Sequence, residues 1–462
     1  MLRFFASLLF VSTLGVSALG AADLVITARY VVTMDGSRRI VENGAVAIEK
    51  DRIVAVGPAA EILKTHGAKP RLHRPDAILA PGLINTHTHA PMTLLRGIAD
   101  DLRLQDWLER YIFPAEGKNV SPEFVRIGTD LAVLEMLLSG TTTYTDMYYF
   151  EEVIAEATRR AGMRAVLGQT IIGFPVPDAK TPADALRRTE AFLKQFAGDA
   201  LITPAVAPHA IYTNSDETLR ASRALANQYG APLLIHLSET RKENDDTLKQ
   251  RGLSPTQALE KLGVWTGRTV AAHGVWLDDN DIATLARRGV GVAHCPSSNM
   301  KLASGIAPVL KLLRMDVALG LGPDGPAGSN NDLNLFEEMD LAGKLAKVSA
   351  NDPTVLPAAK LFAMATIEGA RVLGLQKEIG SLEAGKRADL ITVSLSEPQA
   401  VPLFNVYSAL VYALKGADVQ DVVVNGRVVV RQRVPQTLDR ARVLAAARAY
   451  AGRISRSLAP NH

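Results

Sequence analysis

Pro81-Gly82-Leu83-Ile84-Asn85-Thr86-His87-Thr88-His89 is a short apolar run ending in two histidines two residues apart. Alternate residues of a strand point the same way. Both imidazoles are therefore expected on one side, at the strand's C-terminal end, where parallel barrels carry their chemistry. A lone His-x-His is a weak signal, and its weight comes from the residues that end later strands.

From about residue 78 to residue 375 such strands recur: Ala165-Val166-Leu167, Leu201 to Val206, Pro232 to Ile235, Thr269 to Ala272, Val290 to Ala293 and Val317 to Leu321. Amphipathic helical stretches lie between them, Pro122 to Ser139 and Asp184 to Phe196 among them. Repeated strand–helix units over about 300 residues predict an α/β fold built on a (β/α)8 TIM-type barrel. An open doubly wound sheet is the alternative, disfavoured because no Gly-x-Gly-x-x-Gly turn follows the first strand.

The flanks read differently. Residues 23–77 and 376–437 hold short β-branched runs separated by turn residues, including Val422-Val423-Val424-Asn425-Gly426-Arg427-Val428-Val429, a hairpin signature. The two pieces are expected to pair into a small discontinuous β-sandwich domain built from both chain ends. Residues 438–462 are expected to form a final Ala- and Arg-rich helix and tail. Residues 1–22 combine a basic start, an uncharged stretch from Phe4 to Gly20 and small residues at the exit. That pattern predicts a signal peptide and an exported protein without stable membrane association after cleavage. An uncleaved N-terminal membrane anchor is the alternative.

The formal net charge is +3 with the signs interspersed, which argues against a nucleic-acid partner. Cys295 is the only cysteine, so no intrachain disulfide is available, and its place after an apolar strand suits packing.

Polar, chemically capable residues follow the barrel strands: His87 and His89, then His209, His236, His273, His294 and Asp324. Taken alone, any one of these histidines reads better as a hydrogen-bonded structural residue. Their recurrence at successive strand ends points to a shared cavity. Three imidazoles and a carboxylate suit one divalent ion, Zn2+ first, with Fe2+ or Mn2+ as alternatives. Glu239, three residues after His236, is placed to move protons beside such an ion, its bland alternative being a helix N-terminal acid. No lysine stands in the strand from Ala165 to Ile172, which favours one metal over a lysine-bridged pair.

Assembled, these residues resemble the amidohydrolase superfamily, in its chlorohydrolase/deaminase branch, and are most similar to the 5-methylthioadenosine/S-adenosylhomocysteine deaminases. The resemblance rests on Pro81 to His89, Asp106-Trp107-Leu108 with Pro114-Ala115-Glu116, Gly140-Thr141-Thr142, His236 to Thr240, Ala272-His273-Gly274, His294 to Asn299, Gly322 to Gly325 and the tail Gly380 to Leu390. It implies metal ligands at His87, His89, His236 and Asp324. It further implies Glu239 as proton shuttle, His273 polarising the new oxygen on the attacked carbon, and Asp324 taking the proton of the attacking water. Substrate contacts fall on Glu116, which in the family holds ribose hydroxyls, and on His209. Trp107 stands either as a stacking surface or as a buried anchor. The implied reaction is hydrolytic deamination of 5'-methylthioadenosine, S-adenosylhomocysteine or adenosine to a 6-oxopurine. The alternative is deamination or dechlorination of a triazine, guanine-like or pterin ring on the same metal site. Gln169 stands where the family has an arginine for the homocysteine tail, which favours a substrate without a carboxylate. The expected partner is thus a small nucleoside or heterocyclic amine, and a homo-oligomer is compatible with a helix-rich exterior.

Overall fold

Residues 22–67 and 71–458 are described by the computed structural model. The segment read as a signal peptide lies, except for Ala22, outside the described residues. No helix among the described residues is long and apolar enough to cross a membrane.

Eight parallel strands form a closed barrel in chain order: Leu83–Thr88, Thr141–Tyr148, Arg164–Ile171, Ile202–Pro208, Leu233–Leu237, Thr269–His273, Gly291–His294 and Leu319–Leu321. Closure comes where Leu321 pairs with Asn85. Most of these strands are buried throughout, because side chains fill the barrel on one face and helices cover the other. Ile84, Val166, Ala205, Ala207, Leu234, Val270 and Ala293 belong to one buried apolar cluster. His236 lies two residues beyond Leu234 on the same strand face. A register shift against the second strand, between Asn85 and Thr88, accompanies the turn of His87 and His89 toward the mouth. Gly322 keeps the last strand tight against the first, since a Cβ there would meet the His87 backbone N and O at 2.8 Å.

The second barrel strand is the one the apolar scan passes over. Its sequence, Thr-Thr-Thr-Tyr-Thr-Asp-Met-Tyr, is fully buried. Threonine's β-branch favours the extended chain, while its hydroxyl hides the strand from a search for apolar runs.

A separate eight-stranded sheet takes strands from both ends of the chain. Its order is Val434–Pro435, Arg427–Arg431, Val419–Val424, Leu390–Ser394, Arg71–Pro81, Leu24–Val32, Ile40–Glu49 and Arg52–Pro58. The two halves join where Leu390–Ser394 runs antiparallel to Arg71–Pro81, Ile391 opposite Ala80. Asn425 and Gly426 both take positive φ, 51° and 78°, as a tight hairpin requires. The strand Arg71–Pro81 leads through Gly82 directly into the first barrel strand, so the small domain anchors the root of the strand that bears His87. A final helix, Arg440–Leu458, packs on the helix Pro122–Leu138.

Candidate active site

Two histidines of the cluster are aimed by a backbone contact on the far side of the ring. His89 meets the Met147 carbonyl through Nδ1 at 2.7 Å, and His236 meets the His209 carbonyl through Nδ1 at 2.9 Å. A carbonyl can only accept, so each Nδ1 carries a proton and each Nε2 is the nitrogen turned toward the cluster. Those two Nε2 atoms lie 3.4 Å apart. Asp324 Oδ1 stands 3.3 Å from His87 Nε2 and 3.4 Å from His89 Nε2. The buried His87 Nε2 has no hydrogen-bond partner among the described residues.

Lone pairs converging on one point, one of them on an orphaned buried nitrogen, are what a metal site requires and what a structural hydrogen-bond network avoids. Ligand atoms of His87, His89 and Asp324 lie within 4.8 Å of one another, as do those of His87, His236 and His273. The set fits one divalent ion.

Burial sets the charge of the group. It pushes His87 down to about 4 and His209 to about 3, and it holds His236 and His273 below the ordinary histidine value. His89 departs from this pattern. Burial opposes its charge, but Asp324 and Asp146 outweigh that and push it up to about 9, so a bound ion would displace its second proton. Burial likewise opposes charge on Asp324, yet the His87 and His89 imidazoles hold it well below the usual carboxylate range. Glu239 goes the other way: burial, reinforced by the Asp324 carboxylate, pushes its carboxyl up to about 8. A protonated carboxyl at neutral pH is a proton donor.

Asp324 Oδ2 accepts from Ser298 Oγ at 2.8 Å, and His273 Nδ1 meets Asn299 Oδ1 at 3.1 Å. The second contact places the His273 proton on Nδ1 and leaves Nε2, 3.9 Å from Glu239 Oε2, as an acceptor. His273 and Asp324 both hold positive φ, 74° and 65°, outside the strand conformation that would carry their side chains away from the cluster.

The cavity beside the cluster spans about 590 Å3 of empty space, its open mouth included. His89, His236, His273, Asp324, Glu239, Glu116, His209 and Trp107 all line it. Much of the remaining wall is apolar or aromatic, including Leu104, Leu108, Ile112, Phe113 and Tyr212. The Trp107 indole N–H donates to the Ala327 carbonyl at 2.9 Å, so the ring is both an anchor of the 104–119 segment and part of the wall. Glu116 is buried and accepts from the Tyr148 hydroxyl at 2.5 Å.

Two expectations are corrected by the geometry. His294 does not join the cluster; it lines a separate cavity with Ile306, Val309 and Leu345. Gln169 does not line the active-site cavity either. Its neighbour Thr170 does, and the amide of Gln169 donates to Asp178 Oδ2 at 2.8 Å. Strand alternation sends the two residues to opposite faces. Arg187 and Arg188 sit on the helix Pro182–Gln195, Arg187 paired with Asp184 and Arg188 with Glu152. Among the described residues no arginine or lysine lines the cavity.

Asp146, Met147, Tyr148, Ser298 and Asn299 support the site without having been singled out from the sequence. The first three belong to the overlooked Thr-rich strand, and the last two stand in the quoted His294 to Asn299 motif.

Residues 78–429 match the amidohydrolase family, and residues 44–68 match a bacterial imidazolonepropionase-like composite domain. A 5-methylthioadenosine/S-adenosylhomocysteine deaminase of Thermodesulfovibrio yellowstonii is 46% identical over 435 residues, covering 94% of this chain and 99% of that protein. A second, from Syntrophus aciditrophicus, is 44% identical over 436 residues, covering 94% and 98%. The crystal structure of an adenosine deaminase from Xanthomonas campestris with bound zinc is 43% identical, with a TM-score of 0.93 and coverage of 95% and 99%. An atrazine chlorohydrolase of Arthrobacter aurescens, complexed with zinc, is 25% identical, with a TM-score of 0.86 and coverage of 93% and 100%. With a closed parallel barrel, a cluster of inward-facing imidazoles and a carboxylate at its mouth, and relatives alike over nearly its whole length, this chain belongs to the amidohydrolase family.

Proposed function

We propose that the protein is a metal-dependent hydrolytic deaminase of adenine nucleosides, releasing ammonia and the 6-oxopurine. The observation that carries the nucleoside reading is Glu116, a carboxyl buried in the wall of a largely apolar cavity with one oxygen held by Tyr148. Such a group suits the hydroxyls of a sugar, and a free base has none to offer. The deaminase relatives support the same reaction class.

In this reading His87, His89, His236 and Asp324 hold one divalent ion, with zinc the first choice and iron(II) or manganese(II) the alternatives. When bound, the ion supplies Lewis acidity and lowers the pKa of water. Asp324 accepts a proton from the attacking water, its Oδ2 steadied by Ser298. Glu239 gives its proton to the ring nitrogen beside the attacked carbon. His273 Nε2, with its proton on Nδ1, accepts from the hydroxyl that the attacked carbon acquires and so polarises the new oxygen. Asp324 passes its proton to the departing amine, and the hydroxyl proton returns to Glu239. Both protons of the water are thereby accounted for, one in ammonia and one in the restored carboxyl. His209 lies against His236, ring centroids 4.7 Å apart, as part of the substrate wall. Trp107 offers a fixed ring face to the purine.

With no arginine or lysine among the described residues that line it, the cavity favours an apolar 5'-substituent over an amino-acid tail, whose carboxylate would be desolvated without such a partner. The test is ammonia release by zinc-loaded protein from methylthioadenosine, S-adenosylhomocysteine, adenosine, guanine and melamine in parallel. Turnover of methylthioadenosine and adenosine ahead of the others is expected. Activity confined to free bases or triazines would overturn the nucleoside reading and favour the heterocycle alternative.

A further inference from the structure

Glu116 makes a single side-chain hydrogen bond among the described residues, and its donor is the Tyr148 hydroxyl. Both residues are 4% exposed, and both line the active-site cavity. Tyr148 is itself well fixed. It ends the second barrel strand, its backbone N–H donates to Glu151 Oε1 at 2.8 Å, and its ring lies against Tyr149 with centroids 4.8 Å apart. The same strand end holds the metal cluster, since the Met147 carbonyl orients His89. One rigid strand tip therefore places both the reacting end and the Glu116 end of the cavity.

A carboxylate with two free oxygens can rotate and accept in many directions. Engaging Oε1 removes that freedom and leaves Oε2 as the acceptor facing the cavity. From this geometry we propose that Tyr148 is a positioning residue for sugar recognition, holding Glu116 so that its free oxygen accepts the hydroxyls of a vicinal diol. The inference rests on the nucleoside reading and adds a residue to it. Charge supports it as well. Burial pushes Glu116 up to about 7, and the Tyr148 hydrogen bond, with the His89 imidazole behind it, pulls against that rise. Without the phenol, Glu116 would hold its proton at higher pH and lose its acceptor character toward a diol.

The experiment compares kcat and KM for adenosine and 2',3'-dideoxyadenosine across pH, in wild type, Tyr148→Phe, Glu116→Gln and the double variant. Tyr148→Phe is expected to cut the preference for the hydroxylated sugar about tenfold, the scale of one hydrogen bond to a charged group, and to do so mainly through KM. Its acid limb for adenosine should move to higher pH, while the dideoxy substrate, which bypasses Glu116, keeps its rate and reports that the site is folded. In the Glu116→Gln background, Tyr148→Phe should add little. Replacing Tyr148 with 3,5-difluorotyrosine, nearly isosteric and a stronger donor, should move the acid limb down instead. That arm also decides the matter should phenylalanine impair folding. Preserved sugar preference in both Tyr148 variants, with Glu116→Gln abolishing it, overturns the Tyr148 role alone. Equal loss on both substrates in Glu116→Gln overturns the sugar reading itself, and the Tyr148 role with it.

Discussion

The Arg164 guanidinium holds Asp389 through two contacts, Nε to one carboxylate oxygen at 2.7 Å and Nη2 to the other at 3.2 Å, across 225 residues of chain. Arg164 opens the third barrel strand, and Asp389 immediately precedes the strand Leu390–Ser394 of the small sheet. Both side chains are nearly dry, 9% and 2% exposed. Asn425 joins them, its backbone N–H donating to Asp389 and its Oδ1 accepting from Arg164. This pair pins the terminal sheet to the barrel.

Removing one partner of such a pair strands a charge in a dry setting. Arg164→Met is expected to cost about 3–5 kcal/mol of stability, seen as a large fall in melting temperature. Arg164→Met combined with Asp389→Asn should recover part of the loss, because the neutral amide keeps an acceptor for Asn425 without an unpaired charge. Turnover at permissive temperature should hardly change. A double variant no more stable than Arg164→Met would refute this account.

Glu239 gives the ring nitrogen its proton and regains one from the hydroxyl in the proposed chemistry. Glu239→Gln should lower kcat by about 10²–10⁴, the usual worth of a positioned acid–base group. Metal content and KM should stay near wild type. Loss of the metal along with activity would show that the carboxyl acts as a ligand.

Chelation should abolish activity and lower the melting temperature, and divalent ion should restore both. An ion held at a thousand times its dissociation constant adds about 4 kcal/mol of stability. Elemental analysis is expected to give one equivalent per chain, and His236→Ala should lose it. Two equivalents would contradict the single cluster that the geometry presents.

Acid should weaken the terminal sheet through Asp421. Burial opposes charge there, but the Arg74 guanidinium, at 2.7 and 2.9 Å, together with Thr392 and Gln432, holds the carboxyl below its ordinary 3.8. A carboxyl whose pKa is depressed in the fold contributes fully above 3.8, and the contribution is lost as pH falls below that value. Melting temperature should therefore fall between pH 4 and pH 2 more steeply in wild type than in Asp421→Asn, which has no such proton to bind. Parallel curves would remove Asp421 from the account.

Much of the site was legible as text because its residues sit where strands end. His87 and His89 share a run of nine residues, His236 and Glu239 share four, and each lies beside a strand that its apolar neighbours announce. The Thr-rich second strand was not legible in this way, since its buried hydroxyls look like a solvated segment. With it went Tyr148 and Asp146. The misplacements share a physical root. His294 was read from its place at a strand end and Gln169 from the resemblance, but which way a side chain points depends on parity and on register shifts that a single strand does not reveal.

By itself the sequence determined the alternation of strands and helices, the strand-rich flanks and the order of the chemical residues, because each depends on neighbours a few positions apart. The tertiary structure alone decided which of those residues meet. His89 and His236 are 147 residues apart in the chain, and barrel closure brings their Nε2 atoms to 3.4 Å. It also decided their charge, since only burial and the partners that closure supplies push Glu239 up to about 8 while holding Asp324 well down. Contact and desolvation are properties of the closed fold, and no local stretch of sequence carries them.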